Sequence, residues 1–284
     1  MQKIKYLETL LLLLIITLSC SKVAKTTQPS ETDTTRILFI GNSYSYFNSV
    51  SELVKRMAED KFPTEKIETK MISQEGMTLK QLWLKGEALD EIKKEKWDYV
   101  VLQEQSTLGT GVIIDSKRHL YKPDIFFEYA RKFDSEIKKS GAKTVFYMTW
   151  SKKDNPEQQI YLTYAYMTIA KELNSLIAPV GLVWDKNRNN SAFDLYYRDG
   201  AHPSVYGSYL AATTLFSIIF STNPVGVSAK IEGYKLASTG QRSKEMQLLT
   251  DIAKEDATTI QRSTWDVINS LRKTDGYYST LTVR

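Results

Sequence analysis

The sequence predicts an α/β protein: a five-stranded parallel sheet with helices on both faces, extended at its C-terminus by further helix. Two observations carry this. Five short apolar stretches rich in Ile, Val and aromatic residues, Arg36 to Ile40, Lys66 to Ile72, Tyr99 to Gln103, Lys143 to Trp150 and Pro179 to Trp184, have the composition of strands buried on both sides. Between them, Val50 to Asp60, Leu79 to Lys94, Asp124 to Lys139 and Glu157 to Leu176 repeat their apolar residues at three-to-four spacing, as helices covering a sheet do. Parallel neighbours must be joined by crossovers, so this alternation builds a three-layer α/β/α domain.

The N-terminus precedes that domain. Lys3 and Lys5 open the chain, Leu10 to Leu18 form an apolar run of nine residues, and Ser19 stands before Cys20. This is the layout of an export signal, and the run is about half of the roughly 20 residues a membrane-spanning helix needs. Residues 1–19 are therefore expected to be the signal. Residues 20–35 are rich in Ser, Thr, Lys and Gln, and they read as a flexible tether. The globular domain is expected over 36–222, with Gly141 closing its third helix and Pro203 to Phe220 forming another helix with a proline in its first turn. Residues 223–284 are expected to be a helical extension packed on the same domain, with helical patterning over 244–272 and a poorly ordered tail.

Composition narrows the function. The net charge of +5 comes from 38 basic and 33 acidic residues dispersed along the chain, which gives no basic track for nucleic acid. Cys20 is the single cysteine, so no internal disulfide forms, and with two histidines there is no zinc ligand cluster. No metal or organic cofactor is expected.

Two segments carry chemistry. Gly41-Asn42-Ser43-Tyr44-Ser45 follows the first strand, and ligands collect at the carboxyl ends of such strands. By itself this is also an ordinary helix-capping turn. Asp199-Gly200-Ala201-His202-Pro203 sets an acid three residues before a histidine, so that the acid can hold one imidazole nitrogen while the other accepts a proton from a serine. The only other histidine, His119, lies among Lys117, Arg118 and Lys122, a cationic setting that disfavours a proton acceptor and suits a surface residue.

Together the two segments resemble the first block and the Asp-x-x-His block of the SGNH (GDSL-like) hydrolases, in the family's order. The resemblance implies a flavodoxin-like doubly wound fold, a triad of Ser43, His202 and Asp199, and an oxyanion hole of the Ser43 N–H, a glycine N–H and an asparagine side chain. Gly76, in Ser73-Gln74-Glu75-Gly76-Met77, stands at the glycine position. The asparagine block departs from the family: Val100-Val101-Leu102-Gln103-Glu104-Gln105-Ser106 offers glutamine instead. Gln105, beyond the strand, is the expected donor, with Gln103 as the alternative. Glu104 when ionised has no proton to donate. The nucleophile elbow of classical α/β-hydrolases fits less well, because Ser45 stands where a second glycine is needed.

Cys20 resembles the lipidated cysteine of bacterial lipoproteins, which implies a lipid anchor in the cell envelope. The alternative is an ordinary signal peptide cut nearby. Aromatic residues in the loops after the strands, Tyr44, Tyr46, Trp150 and Tyr197 above all, are expected to stack on sugar rings. The sequence thus points to an exported serine esterase acting on acylated small molecules or glycans, with O-acetylated carbohydrate as the expected substrate. The alternatives are a lysophospholipase or thioesterase of the same fold, or a surface lipoprotein that binds glycans without turnover.

Overall fold

The computed structural model describes residues 34–108, 112–114, 117–119 and 123–274. The expected signal, Cys20, the tether and the tail from 275 onward lie outside those residues, as does the side chain of His119. In chain order the elements are β1 (Thr34–Gly41), the single turn α1 (Ser43–Tyr46), α2 (Val50–Lys61), β2 (Lys66–Ser73), α3 (Leu79–Lys85), α4 (Glu87–Lys94) and β3 (Tyr99–Leu102). A short antiparallel pair follows, β4 (Val112–Ile114) and β5 (Lys117–His119), then α5 (Asp124–Lys139), β6 (Lys143–Tyr147), α6 (Gln159–Glu172) and β7 (Leu176–Ala178). The chain continues through α7 (Val180–Asn187), α8 (Val205–Ile219), β8 (Lys230–Leu236), β9 (Arg242–Asp251) and α9 (Lys254–Thr274).

Five strands form one parallel sheet in the order β2-β1-β3-β6-β7, the flavodoxin-like arrangement. From β1 the chain first moves outward to β2 and afterwards moves only the other way. Right-handed crossovers then place α2 on one face and α3 to α6 on the other; α8 packs on α2, and α3 and α4 pack on α5. Both faces are covered, so Ile37, Leu38, Phe39 and Ile40 are each 1% exposed or less, and β1 reads as an unbroken apolar run. The direction of the chain reverses between β1 and β3, and the crevice at that reversal is where an open α/β sheet places its site.

Several elements differ from the sequence-based expectation. The stretch Pro179 to Trp184 is not a strand. The fifth strand is the three residues of β7, and Pro179, which has no N–H for the ladder, ends it. Val180, Val183, Trp184 and Asn187 then bury one face of α7; a short apolar run does not reveal its period. The helix expected to reach Leu176 stops at Glu172, and Asn174 turns the chain with a φ of 47°. The helix over 79–94 is broken at Gly86 (φ 83°) into α3 and α4. The strand expected to reach Trp150 ends at Tyr147, and α8 begins at Val205, with Ser204 rather than Pro203 at its cap.

The extension is helical only from Lys254. Before it, β8 and β9 form an antiparallel hairpin whose Arg242 donates to Thr69 O and Oγ1 on β2, while Ser73 Oγ donates to Ser238 O. The hairpin thus shields the exposed edge of β2, a usual need of an edge strand. Met246, Leu249 and Ile252, spaced three apart on β9 and just beyond it, imitate a helical repeat in the sequence. α9 packs on α7 and α8.

Candidate active site

β1 delivers the first component. Gly41 presses on the Gln103 side chain so closely that a Cβ would stand 2.5 Å from Gln103 Oε1. Gln103 is fully buried and locks the turn: its Oε1 accepts from Asn42 N (2.9 Å) and Ser45 Oγ (2.9 Å), and its Nε2 donates to Asn42 Oδ1 (3.0 Å). Asn42 Oδ1 also caps α1 by accepting from Tyr44 N at 3.1 Å, and Asn42 Nδ2 donates to Met77 O at 2.9 Å. Ser43 is therefore the first residue of a rigidly tied turn, and its hydroxyl faces a cleft of about 220 Å³.

The second component is the segment before α8. Asp199 Oδ1 accepts from Ala201 N and His202 N, both at 2.9 Å, and Asp199 Oδ2 meets His202 Nδ1 at 2.6 Å. Tyr197 N donates to His202 O at 2.8 Å, closing the loop on itself. His202 Nε2 stands 2.9 Å from Ser43 Oγ. Burial pulls the Asp199 carboxyl up, but hydrogen bonds from the His202 ring and from the backbone of Ala201 and His202 outweigh it and hold the group below its ordinary range. An ionised Asp199 keeps the proton on Nδ1 and leaves Nε2 as the acceptor facing Ser43.

Aromatic rings fix the imidazole. Phe47 stacks on it (centroids 4.5 Å apart, planes at 19°) and Tyr44 meets it edge-on at 5.7 Å. Tyr44 in turn stacks on Trp150 at 4.5 Å, and Trp150 on Trp184 at 3.9 Å. The expected role of Trp150 in substrate binding is corrected here: it is fully buried between two rings, and its indole N–H donates to Ala201 O at 3.0 Å. Trp150 supports the histidine loop from behind. Gly207 lets α8 approach the same stack, since a Cβ there would stand 2.2 Å from Leu195 O and 2.5 Å from the Trp184 ring.

The cleft brings Gly76 and Gln105 beside Ser43 and His202. Gly76 has a φ of 66° in the turn between β2 and α3. Gln105 Oε1 is held by the N–H of Thr107 (2.7 Å) and by its hydroxyl, which directs the amide NH₂ away from them. Gln103, the alternative donor, is occupied inside the Asn42 turn and does not line the cleft. Tyr44 lines the cleft, Tyr197 is 39% exposed with its ring edge towards Phe47, and Tyr46 is half-buried beside Phe47. Phe47, one of the loop aromatics the sequence offers for sugar stacking, is instead the ring stacked on His202, and Glu75, Ser106 and Lys152 line the cleft without having been singled out in the sequence. The signal for those three was their place in loops that follow strands β2, β3 and β6. Among the described residues no group of three or more His, Cys, Asp or Glu could hold a metal ion, and no helix is long and apolar enough to cross a membrane.

No protein-family model matches the chain, and no curated protein matches it. Solved structures do match. The chain is similar to a protein of Slackia heliotrinireducens assigned to the SGNH hydrolases, with a TM-score of 0.53 and 25% identity over 66% of this chain and 100% of that one. It is also similar to an acetylxylan esterase of Geobacillus stearothermophilus (TM-score 0.52, 19% identity, 65% of this chain and 94% of that one). An alpha/beta hydrolase from the metagenome of Lake Arreo, Spain, aligns with a TM-score of 0.52 at 11% identity, again over 65% and 94% of the two chains. The fold of this chain is the SGNH-hydrolase fold.

Proposed function

We propose that the protein is an exported serine ester hydrolase that removes short acyl groups, acetyl above all, from carbohydrates. The observation that carries the reading is the continuous line of hydrogen bonds from Asp199 through His202 to Ser43 at a small cleft. In this reading His202 Nε2 takes the Ser43 hydroxyl proton as Ser43 Oγ attacks the ester carbonyl. The tetrahedral oxyanion is held by the Ser43 N–H, the Gly76 N–H and the Gln105 amide. The imidazolium then returns its proton to the departing sugar oxygen, leaving an acyl group on Ser43. Water, deprotonated by His202, attacks that acyl group, and the carboxylic acid leaves as Ser43 recovers its proton.

The cleft supports a short acyl group. None of its lining residues is an aliphatic side chain larger than Ala201, whereas a long acyl chain needs an apolar channel. The acetylxylan esterase among the similar structures supports the same substrate class. Purified protein is expected to release acetate from acetylated xylooligosaccharides and to cleave p-nitrophenyl acetate well ahead of the palmitate. A preference for palmitate would move the reading to a lipolytic enzyme, and glycan binding with no acetate release would make the protein a binder. Within this reading, Gln105→Ala is expected to lower kcat about 10²- to 10³-fold with the unfolding temperature unchanged; an unaltered kcat would remove Gln105 from the oxyanion hole.

For location, we propose that residues 1–19 direct export and that the Cys20 thiol carries a diacylglyceryl anchor. The basic start, the apolar run and the small residue before the single cysteine support this. In a bacterial host Cys20→Ala is expected to move the protein from the membrane fraction to the soluble exported fraction. Unchanged membrane association of that variant would contradict the anchor.

A further inference from the structure

Behind the proposed reaction centre stands a carboxylate that the mechanism does not use. Glu104 follows β3, is fully buried, and takes its hydrogen bonds from two separate segments. Its Oε1 accepts from Gln105 N at 2.5 Å, and its Oε2 accepts from Leu79 N at 3.1 Å. Gln105 belongs to the loop after β3, and Leu79 is the first residue of α3, directly beyond the turn that carries Gly76. These are the two segments that flank Ser43 in the cleft. Asn42 already ties the Gly76 turn to the serine turn through Met77 O. Glu104 ties the Gly76 turn to the Gln105 loop.

We propose that Glu104 is a positioning residue whose carboxylate clamps the Gly76 turn and the Gln105 loop together and thereby sets the spacing of the oxyanion donors. The proposal rests on the esterase reading above. Both partners of Glu104 are N–H donors, so only a group with two acceptor oxygens satisfies both at full strength. A protonated acid commits one oxygen to an O–H and accepts there only weakly, and a glutamine presents an NH₂ in its place. Burial raises the Glu104 carboxyl to about 8, against the pull of the Gln105 and Leu79 N–H groups. The titratable group packed against it is Tyr166 of α6, whose hydroxyl accepts from Glu104 N at 3.2 Å. Burial holds that phenol protonated well above its usual range. The clamp therefore tightens as Glu104 loses its proton in mildly alkaline solution.

The test is Glu104→Gln, which keeps the shape and fixes the one-acceptor state at every pH. With p-nitrophenyl acetate, after subtraction of the uncatalysed rate, the ratio of wild-type to variant kcat is expected to be near 1 at about pH 6. It should rise to about tenfold or more at about pH 9.5, with KM changed less than about twofold, the scale that small misplacements of catalytic groups produce. A ratio that stays constant with pH would show a merely structural role and overturn the proposal. A second readout needs no turnover: hydrogen exchange at the Leu79 and Gln105 amides, corrected for intrinsic pH dependence. Protection is expected to increase across that range in the wild type and to stay flat in the variant; identical behaviour of the two would overturn the clamp. Absence of wild-type hydrolysis would instead defeat the esterase reading, and the exchange data would still decide on the clamp.

Discussion

Ser43→Ala is expected to lower kcat by about a million-fold while the protein folds as before. The hydroxyl is the attacking atom in the proposed reaction, and no other group in the cleft has both a nucleophilic oxygen and an imidazole nitrogen at 2.9 Å. The structural cost is small, because the turn is held by Asn42, Ser45 and Gln103 rather than by the Ser43 side chain. One hydrogen bond to His202 is lost, worth about 1 kcal/mol. Thermal unfolding within a few degrees of wild type, together with hydrolysis reduced to background, is the expected pair of results. Substantial residual turnover in a folded Ser43→Ala protein would mean that another group attacks the ester.

The second large effect is expected at Asp199. In Asp199→Asn the amide oxygen can still accept from the N–H groups of Ala201 and His202, so the loop should keep its shape. The NH₂ group then faces His202 Nδ1, where Oδ2 stands in the wild type. A donor there forces Nδ1 to be the acceptor and places the imidazole proton on Nε2, aimed at the Ser43 oxygen. The base is then already protonated at the wrong atom, and kcat should fall by about 10⁴-fold with KM little changed. A loss below about tenfold would show that Asp199 only supports the loop.

How far the sequence could be read depended on whether local pattern and tertiary role coincide. β1, β3 and α5 are buried in ways their own composition reports, and their expected and observed spans agree to within two residues at either end. The glycine turn at Ser43 and the acid three residues before His202 were each legible as local features, and the pair of them, with their resemblance to the SGNH hydrolases, is what pointed to their meeting. β7 and α7 were not legible, since Leu176 to Trp184 is apolar throughout and only its neighbours decide where strand gives way to helix. The β8–β9 hairpin was missed for a related reason: it covers the β2 edge rather than a sheet face, and Met246, Leu249 and Ile252 fall at a helical spacing that runs on into α9.

The roles of Trp150 and Glu104 lie further from local pattern still. A tryptophan after a strand reads as a ligand platform until it is seen between Tyr44 and Trp184. In Gln103-Glu104-Gln105 the residue types are nearly interchangeable in a propensity sense, yet each does something different. Gln103 locks the Asn42 turn, Glu104 accepts from two backbones, and Gln105 faces the cleft. All three lie beyond the end of β3 at Leu102, so no strand alternation sorts them, and the neighbouring loops decide which way each side chain points.

The role of Ser43 as nucleophile is tested most directly by covalent labelling with a p-nitrophenyl alkylphosphonate, a reagent that traps an activated serine as a stable ester. Peptide mass mapping is predicted to find one phosphonyl group per chain, on the peptide that contains Ser43, with loss of esterase activity in step with labelling and no labelling of Ser43→Ala. A label on a different residue that tracks the loss of activity, or full activity in a protein fully labelled at Ser43, would contradict it.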